Sequence, residues 1–475
     1  MAGNEEYPDA RSPTIQESHS VEDLLPTLRE VAKRPGQRGP FFCETGYGMV
    51  TKGDAALIAV SNFHDDLVVE GVVRALRERG IKVDIITYDH GQDRDRIPED
   101  EVFTAITGLH AVDIEEGDLN VGVFESKYAE YLGLFGPAQR MAEEEEYSLI
   151  IQSVAGPIRP ASTHFEGDPI YFERIPWQTP EQVLGNATTF PSELYTAINE
   201  KTFDRIWDVK NKGATVEISD PEGTHFSFTL LPEYVEAVGS RESDDNTPEY
   251  LKGHISFHPL GTPSEDADMN GVLAGTTAHY NSPFPHVEFH IDDGKTTRIV
   301  GGGRYGQILR DLHEETKTIQ YPEFGSEGML WPFEFVVGTQ PKAFRPPHEK
   351  FIRHSGSGTL AERLRSGVIH IGIGTSPTSD NTKWAAENSQ PYGHVHVHLL
   401  FPTVEIHRDD GEIVKIIEKG RLSVLDDPEI RNIASKYGDP DKLLREDWIP
   451  EIPGISVEGN YERYANDPIT YLEQT

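Results

Sequence analysis

The chain has 475 residues, enough for two or three domains that each bury a proper core, and it carries 80 acidic against 43 basic side chains, a formal net charge of -37. So acidic a surface repels nucleic acid and anionic lipid, so neither polynucleotide nor membrane is expected as a partner. A single cysteine, Cys43, rules out an intrachain disulfide. The sequence offers neither a secretory apolar segment at the N-terminus nor an apolar run long enough to span a bilayer, so it reads as a soluble protein of the cytoplasm.

Residues 1–50 read as a polar lead-in arm with one short helical pattern from Val21 to Ala32, and Cys43, beside Phe41 and Phe42, as a small core residue. From Ala55 the pattern sharpens. An apolar run to Val60 is followed by an amphipathic stretch from Asp65 to Arg79, with Leu67, Val68, Val72, Val73 and Leu76 on one side, and then by Ile81 to Tyr88. That is the grammar of a β-α-β unit, with Gly80 where a helix ends. Strands are also expected at Asn120–Phe124 and Ser148–Val154, with a helix between them from Ser126 to Glu146. Residues 51–212 are thus expected to form an α/β domain with a largely parallel sheet, closed by a helix from Ser192 to Trp207, with a boundary near Lys212. The stretch from Gly156 to Pro191, rich in Pro, Thr and aromatics, reads as a lid or a domain connection.

From Gly213 the chain changes to short strands and turns. Ala214–Ser219 and His225–Leu230 alternate around the turn Asp220-Pro-Glu-Gly223. Further strands are expected at His254–Phe257, Gly271–Gly275, His286–Ile291 and Thr297–Val300, and then a helix at Tyr305–Thr316. Residues 213–432 read as an α+β domain whose antiparallel sheet carries a metal site, and residues 433–475 as a tail that wraps this domain or a partner subunit.

The metal site is expected between Gly367 and Glu405. In His394-Val-His-Val-His398 the imidazoles alternate with valines, so in a strand all three rings point to one face while the β-branched residues pack behind them. His370 lies in a second run of the same kind, Val368–Ile373, where Gly372 and Gly374 admit close approach. Burying three imidazoles on one strand face without a shared partner leaves polar nitrogens to satisfy, which a metal ion does. The competing reading is a surface row of histidines.

The order of motifs over roughly residues 50 to 420 resembles the aminopeptidase T family of metallo-aminopeptidases and its relative 2,5-dihydroxypyridine 5,6-dioxygenase. Gly223-Thr-His225 resembles the family's Gly-Thr-Asp step, and Gly253-His-Ile-Ser-Phe-His-Pro259 stands in the place of its Gly-Glu-Val-Phe-Thr-Ala-Pro segment. Gly325-Ser-Glu-Gly328 resembles Gly-Glu-Xaa-Gly, His370-Ile-Gly-Ile-Gly374 resembles His-Ile-Ala-Phe-Gly, and His-Val-His stands for the final His-Xaa-Asp. The peptidases' set of two glutamates, two histidines and an aspartate would keep one glutamate here as Glu327, with His254 in place of the other and a histidine for the aspartate. The dioxygenase branch's two histidines and an aspartate would fall on His370 and on two of His394, His396 and His398. Alignment on Pro402-Thr-Val404 favours His394 with His396, and alignment on the apolar run favours His396 with His398. Two hard ions bridged by carboxylates need anionic oxygen, whereas one Fe(II) is served by two or three imidazoles and a carboxylate, so the ligand set leans to the dioxygenase branch, with Glu327 completing it.

The resemblance thus implies a mononuclear non-haem Fe(II) enzyme that uses dioxygen to cleave a small hydroxylated aromatic or N-heteroaromatic substrate. His258 or His254 would handle the substrate's proton, Phe257, Trp331 or Phe333 would contact its ring, and the chain would form a homo-oligomer, at least a dimer. The alternatives are a metallo-aminopeptidase or amide hydrolase using Zn or Co, and a non-catalytic binding protein.

Overall fold

The computed structural model of the protein describes residues 7–15, 17–36, 42–61, 64–88, 141–142, 146–153, 170–239, 250–257, 268–278, 283–345, 362–375 and 380–474. Its described residues form two compact units, one drawn from residues 14–94 and 125–192 and the other from residues 1–13 and 193–475.

In the first unit, α1 (Val21–Lys33) places Leu24, Leu25, Leu28 and Val31 at helical spacing on one buried face. That face lies on α2 (Asp66–Glu78), where Gly71 admits Leu28: a Cβ on Gly71 would stand 2.5 Å from Leu28 Cδ1. The helical pattern in the expected lead-in arm is therefore part of this unit's packing. Strand β1 (Ala55–Ser61) runs parallel to β2 (Lys82–Tyr88) on one side and β3 (Leu149–Gln152) on the other, and β4 (Tyr171–Arg174) extends the sheet in the order β2-β1-β3-β4. Residues 56–60 are all buried, as in a parallel strand covered on both faces. The strand expected at Asn120–Phe124, and all of the Ser126–Glu146 helix except 141, 142 and 146, lie outside the described residues.

The second unit opens with α3 (Ser192–Ile206), the helix after which the sequence put its boundary. Two antiparallel sheets follow. One has eight strands. Its first part is the hairpin β5 (Thr215–Ser219) and β6 (His225–Thr229), with β9 (Asn270–Gly275), β10 (Val287–Asp292) and β11 (Lys295–Gly301) beyond β6. On the far side of β5 stand β15 (Thr403–His407), β16 (Ile413–Glu418) and β17 (Arg421–Leu422). The turn between β10 and β11 takes Asp293 and Gly294 to φ +50° and +78°, the left-handed pair that matches the twist of a hairpin. The other sheet has the order β14-β13-β12-β8-β7, built from β7 (Tyr250–Leu251), β8 (His254–Ser256), β12 (Pro332–Val337), β13 (Ile369–Gly374) and β14 (His394–Leu399). The expected mixture of a parallel sheet with antiparallel sheets and helices is present.

The two antiparallel sheets meet through aromatic rings: Phe335 of β12 stacks on Phe226 at 5.4 Å and lies 5.1 Å from Phe228, both on β6. Phe335→Ala is expected to cost about 3–5 kcal/mol in urea unfolding, the range for truncating a buried aromatic; a cost under about 1 kcal/mol would show that this packing contributes little. β14 passes through Leu400, Phe401 and Pro402 into β15, so one run of chain belongs to both sheets. The C-terminal segment packs where that crossing lies, with Ile449, Ile452, Ile455 and Tyr464 clustered on Val368, Leu400 and Phe401. Among the described residues no helix is long and apolar enough to cross a membrane.

Candidate metal centre

β13 lies between β12 and β14, and the register decides what stands beside what. His370 is opposite His398 on one side and Val336 on the other; Gly372 is opposite His396 and Glu334; Gly374 is opposite His394. Side chains alternate along a strand, so the histidines of β13 and β14 and the carboxylate of Glu334 share one face, while Phe335 and the valines between the histidines face the other way. A bulge between Pro332 and Glu334 sets an extra residue, Phe333, against β13, and its ring lies edge-on to His394 at 5.2 Å. Gly372 supplies the room: a Cβ there would stand 2.9 Å from Glu334 Oε2 and 3.0 Å from the Phe333 ring. β8, paired to β12 on its other side, brings His254 to the same place.

Glu334 is the centre of the cluster. Its Oε2 is 3.1 Å from His370 Nε2 and 3.4 Å from His396 Nε2, and its Oε1 is 3.6 Å from His254 Nε2. Two sets of donor atoms have every member within 4.8 Å of the others, namely His254, Glu334 and His370, and Glu334, His394 and His396. His370 and His396 are 1% and 2% exposed, so the histidine face of these strands is no surface ladder.

Burial pushes the His254 imidazole down to about 4 and that of His396 to about 3, and holds His370 well below its ordinary value. For Glu334, burial alone would raise the carboxyl. The imidazoles of His370 and His396 close to its Oε2 outweigh that, so the carboxyl lies well below its ordinary value and stays ionised. Neutral imidazoles around one carboxylate are the protonation states that a divalent cation takes as ligands. His254 Nε2 is buried and makes no hydrogen bond among the described residues, yet faces Glu334, and such an atom gains from a cation placed between them. The donors therefore fit a metal ion of the imidazole-and-carboxylate class.

The residues named from the sequence divide as follows. His254, His370, His394 and His396 meet around Glu334. His398 is fully buried and belongs to neither donor set, with Nδ1 2.6 Å from Glu362 Oε1 and Nε2 3.2 Å from His370 Nδ1. Glu327 is exposed in a turn and also stands in neither set; the carboxylate at the cluster is Glu334. His258 lies outside the described residues. Of the aromatic residues, Phe257 and Trp331 are buried, Trp331 in a stack on Phe324 at 5.4 Å, and Phe333 is the one beside a donor.

Sequence reasoning passed over Glu334 and Glu362. For Glu334 a signal was present: in Pro332-Phe-Glu-Phe-Val-Val337 one carboxylate interrupts an apolar strand, and a charge buried there must be paired or bind a cation. Glu362, in Leu360-Ala-Glu-Arg-Leu364, carries no such mark.

No protein-family model matches the chain, and no curated relative does. The solved structures to which it is similar include two proteins. One is 2,5-dihydroxypyridine dioxygenase from Pseudomonas putida, at 13% identity and TM-score 0.42, over 85% of this chain and 98% of that one. The other is wild-type AmpT from Thermus thermophilus, at 14% identity and TM-score 0.41, over 85% of this chain and all of that one.

Proposed function

We propose that the protein is a metal-dependent enzyme, a mononuclear non-haem Fe(II) dioxygenase that opens a small hydroxylated aromatic or N-heteroaromatic ring. The observation that supports this most is the donor set: among the described residues, four imidazoles gather around a single carboxylate, Glu334. Fe(II) held by two or three imidazoles and one carboxylate keeps coordination positions for dioxygen and a substrate hydroxyl. In this reading the ion is held by Glu334 and His370 with His254, or by Glu334 and His396 with His394, the two donor sets that meet there. Phe333, edge-on to His394, offers an aromatic wall to a planar substrate. His254, with its unbonded and neutral Nε2, is placed to take the proton of the substrate hydroxyl when it is not itself a ligand.

One observation favours the hydrolytic alternative with Zn or Co. Glu334 belongs to both donor sets, as a carboxylate that bridges two ions would. Metal content and turnover separate the two. Anaerobic reconstitution with Fe(II), followed by oxygen-uptake assays on dihydroxylated rings beside a dipeptide panel, is expected to give one ion per chain, oxygen uptake with a ring substrate, and no peptide cleavage. Two ions per chain with dipeptide cleavage and no oxygen uptake would reverse the choice, and failure to retain any metal would remove both.

A further inference from the structure

We propose that Arg345, Glu362 and His398 form a buried row that fixes the tautomer of His370 and aims its Nε2 electron pair at the metal position, so that His398 is a positioning residue and not a ligand. The inference rests on the metal reading above. The row is continuous: Arg345 Nη1 lies 3.2 Å from Glu362 Oε2, Glu362 Oε1 2.6 Å from His398 Nδ1, and His398 Nε2 3.2 Å from His370 Nδ1. All of it is interior, with Arg345 8%, Glu362 2% and His398 0% exposed.

Proton placement follows from what each group can do. A guanidinium stays charged, and the carboxylate beside it only accepts, so the Nδ1 of His398 carries the proton and donates to Glu362. In the proposed row the Nε2 of His398 accepts from the Nδ1–H of His370. The other nitrogen of His370 is left without a proton, 3.1 Å from the ionised Glu334 and with His396 Nε2 3.4 Å from the same oxygen. The Nε2 electron pair of His370 and the Glu334 oxygen, set so close with no proton between them, call for a cation. His398 itself has no nitrogen left to offer one, because Glu362 takes one and His370 the other. A carboxylate that orients a ligating imidazole through its second nitrogen is a common outer support of metal sites; here a further imidazole stands between the carboxylate and the ligand.

Co(II) serves as the probe, with affinity read by chelator competition and coordination by the positions of its visible absorption bands. His398→Phe, which keeps a ring but no nitrogens, is expected to weaken Co(II) binding roughly 10–100-fold with unchanged bands. His398→Gln, whose side-chain oxygen can accept from His370 Nδ1–H, is expected to recover most of that affinity. His370→Ala, as the reference for a lost ligand, is expected to change the bands. Band changes in His398→Phe like those of His370→Ala would make His398 a ligand, and affinity within twofold of wild type would leave the row without a role; either overturns the proposal. If His398→Phe does not fold, Glu362→Gln carries the same comparison, with weaker binding and unchanged bands expected and unaltered affinity overturning it. A wild-type protein that takes up neither Co(II), Zn(II) nor Fe(II) defeats the metal reading itself, a result distinct from any in the variants.

Discussion

Replacing Glu334 by glutamine is expected to cut bound metal to background while the chain stays folded. The substitution keeps the shape of the side chain and removes the one negative charge among the donors that meet at the cluster. Neutral imidazoles tolerate a neutral amide, so the metal-free fold loses little; a bound dication, by contrast, loses the anion that offsets it in a buried site. The fall in affinity should exceed the roughly 10–100-fold typical of losing an outer partner. Metal analysis after dialysis, with circular dichroism as a check on folding, measures it. Glu327→Gln, on an exposed turn, is expected to leave metal content as in wild type. The reverse pattern, with Glu327→Gln losing metal and Glu334→Gln retaining it, would discard the centre described above.

Metal retention is expected to be nearly independent of pH from 8 down to about 5. An exposed row of histidines, with ordinary values near 6.5, would begin to lose its ion as soon as the pH fell below neutral. Here burial holds His254 at about 4 and His396 at about 3, so in the folded protein protons compete for these nitrogens only below that range. The sign for stability follows from the same shifts. A base whose value is lower folded than unfolded leaves the unfolded chain binding more protons between the two. Its contribution is therefore complete above 6.5 and is lost as the pH falls towards 4 for His254 and 3 for His396. Two carboxyls act in the opposite sense. Burial raises Asp220 to about 6, and burial together with Asp220 raises Glu222 to about 8. Their contributions are full below 3.8 and 4.5 and are lost as the pH rises through about 6 and 8. Because the two groups oppose each other, retained metal in protein whose near-ultraviolet dichroism is still native is the measurement to make. Release of metal centred near pH 6.5 would contradict the buried geometry.

What the sequence allowed and what it hid follow from the range of the interactions. The β-α-β unit from Ala55 to Tyr88 was readable because its signals are local: a continuous apolar run, a 3.6-residue period and a glycine at the helix end. The common face of His394, His396 and His398 was readable for the same reason, since alternation belongs to a single strand. Glu334 carried a local sign, a lone carboxylate in an apolar strand, but its place beside Gly372 was hidden, because it depends on the pairing of β12 with β13, strands separated by more than thirty residues of chain. His398 looks no different from its neighbours in a one-dimensional pattern; only Glu362, from a segment with no marked periodicity, turns its ring away from the donor sets. The helix Val21–Lys33 was legible as a helix, but its docking on α2 depends on Gly71, and nothing near residue 21 announces that.

The extra residue at Phe333 makes the length of β12 as consequential as its composition. Phe335 anchors the downstream half of the strand among the rings of β6. Removing Phe333 itself would join Pro332 to Glu334 with both still opposite Ile373 and Gly372, whereas removing a residue from the regular stretch 334–337 would turn the residues on one side of the cut to the other face of the sheet. A library that varies strand length should thus keep the fold but lose the ring beside His394 when the deletion falls at 333, and should find a one-codon deletion within 334–337 among the least forgiving in the unit.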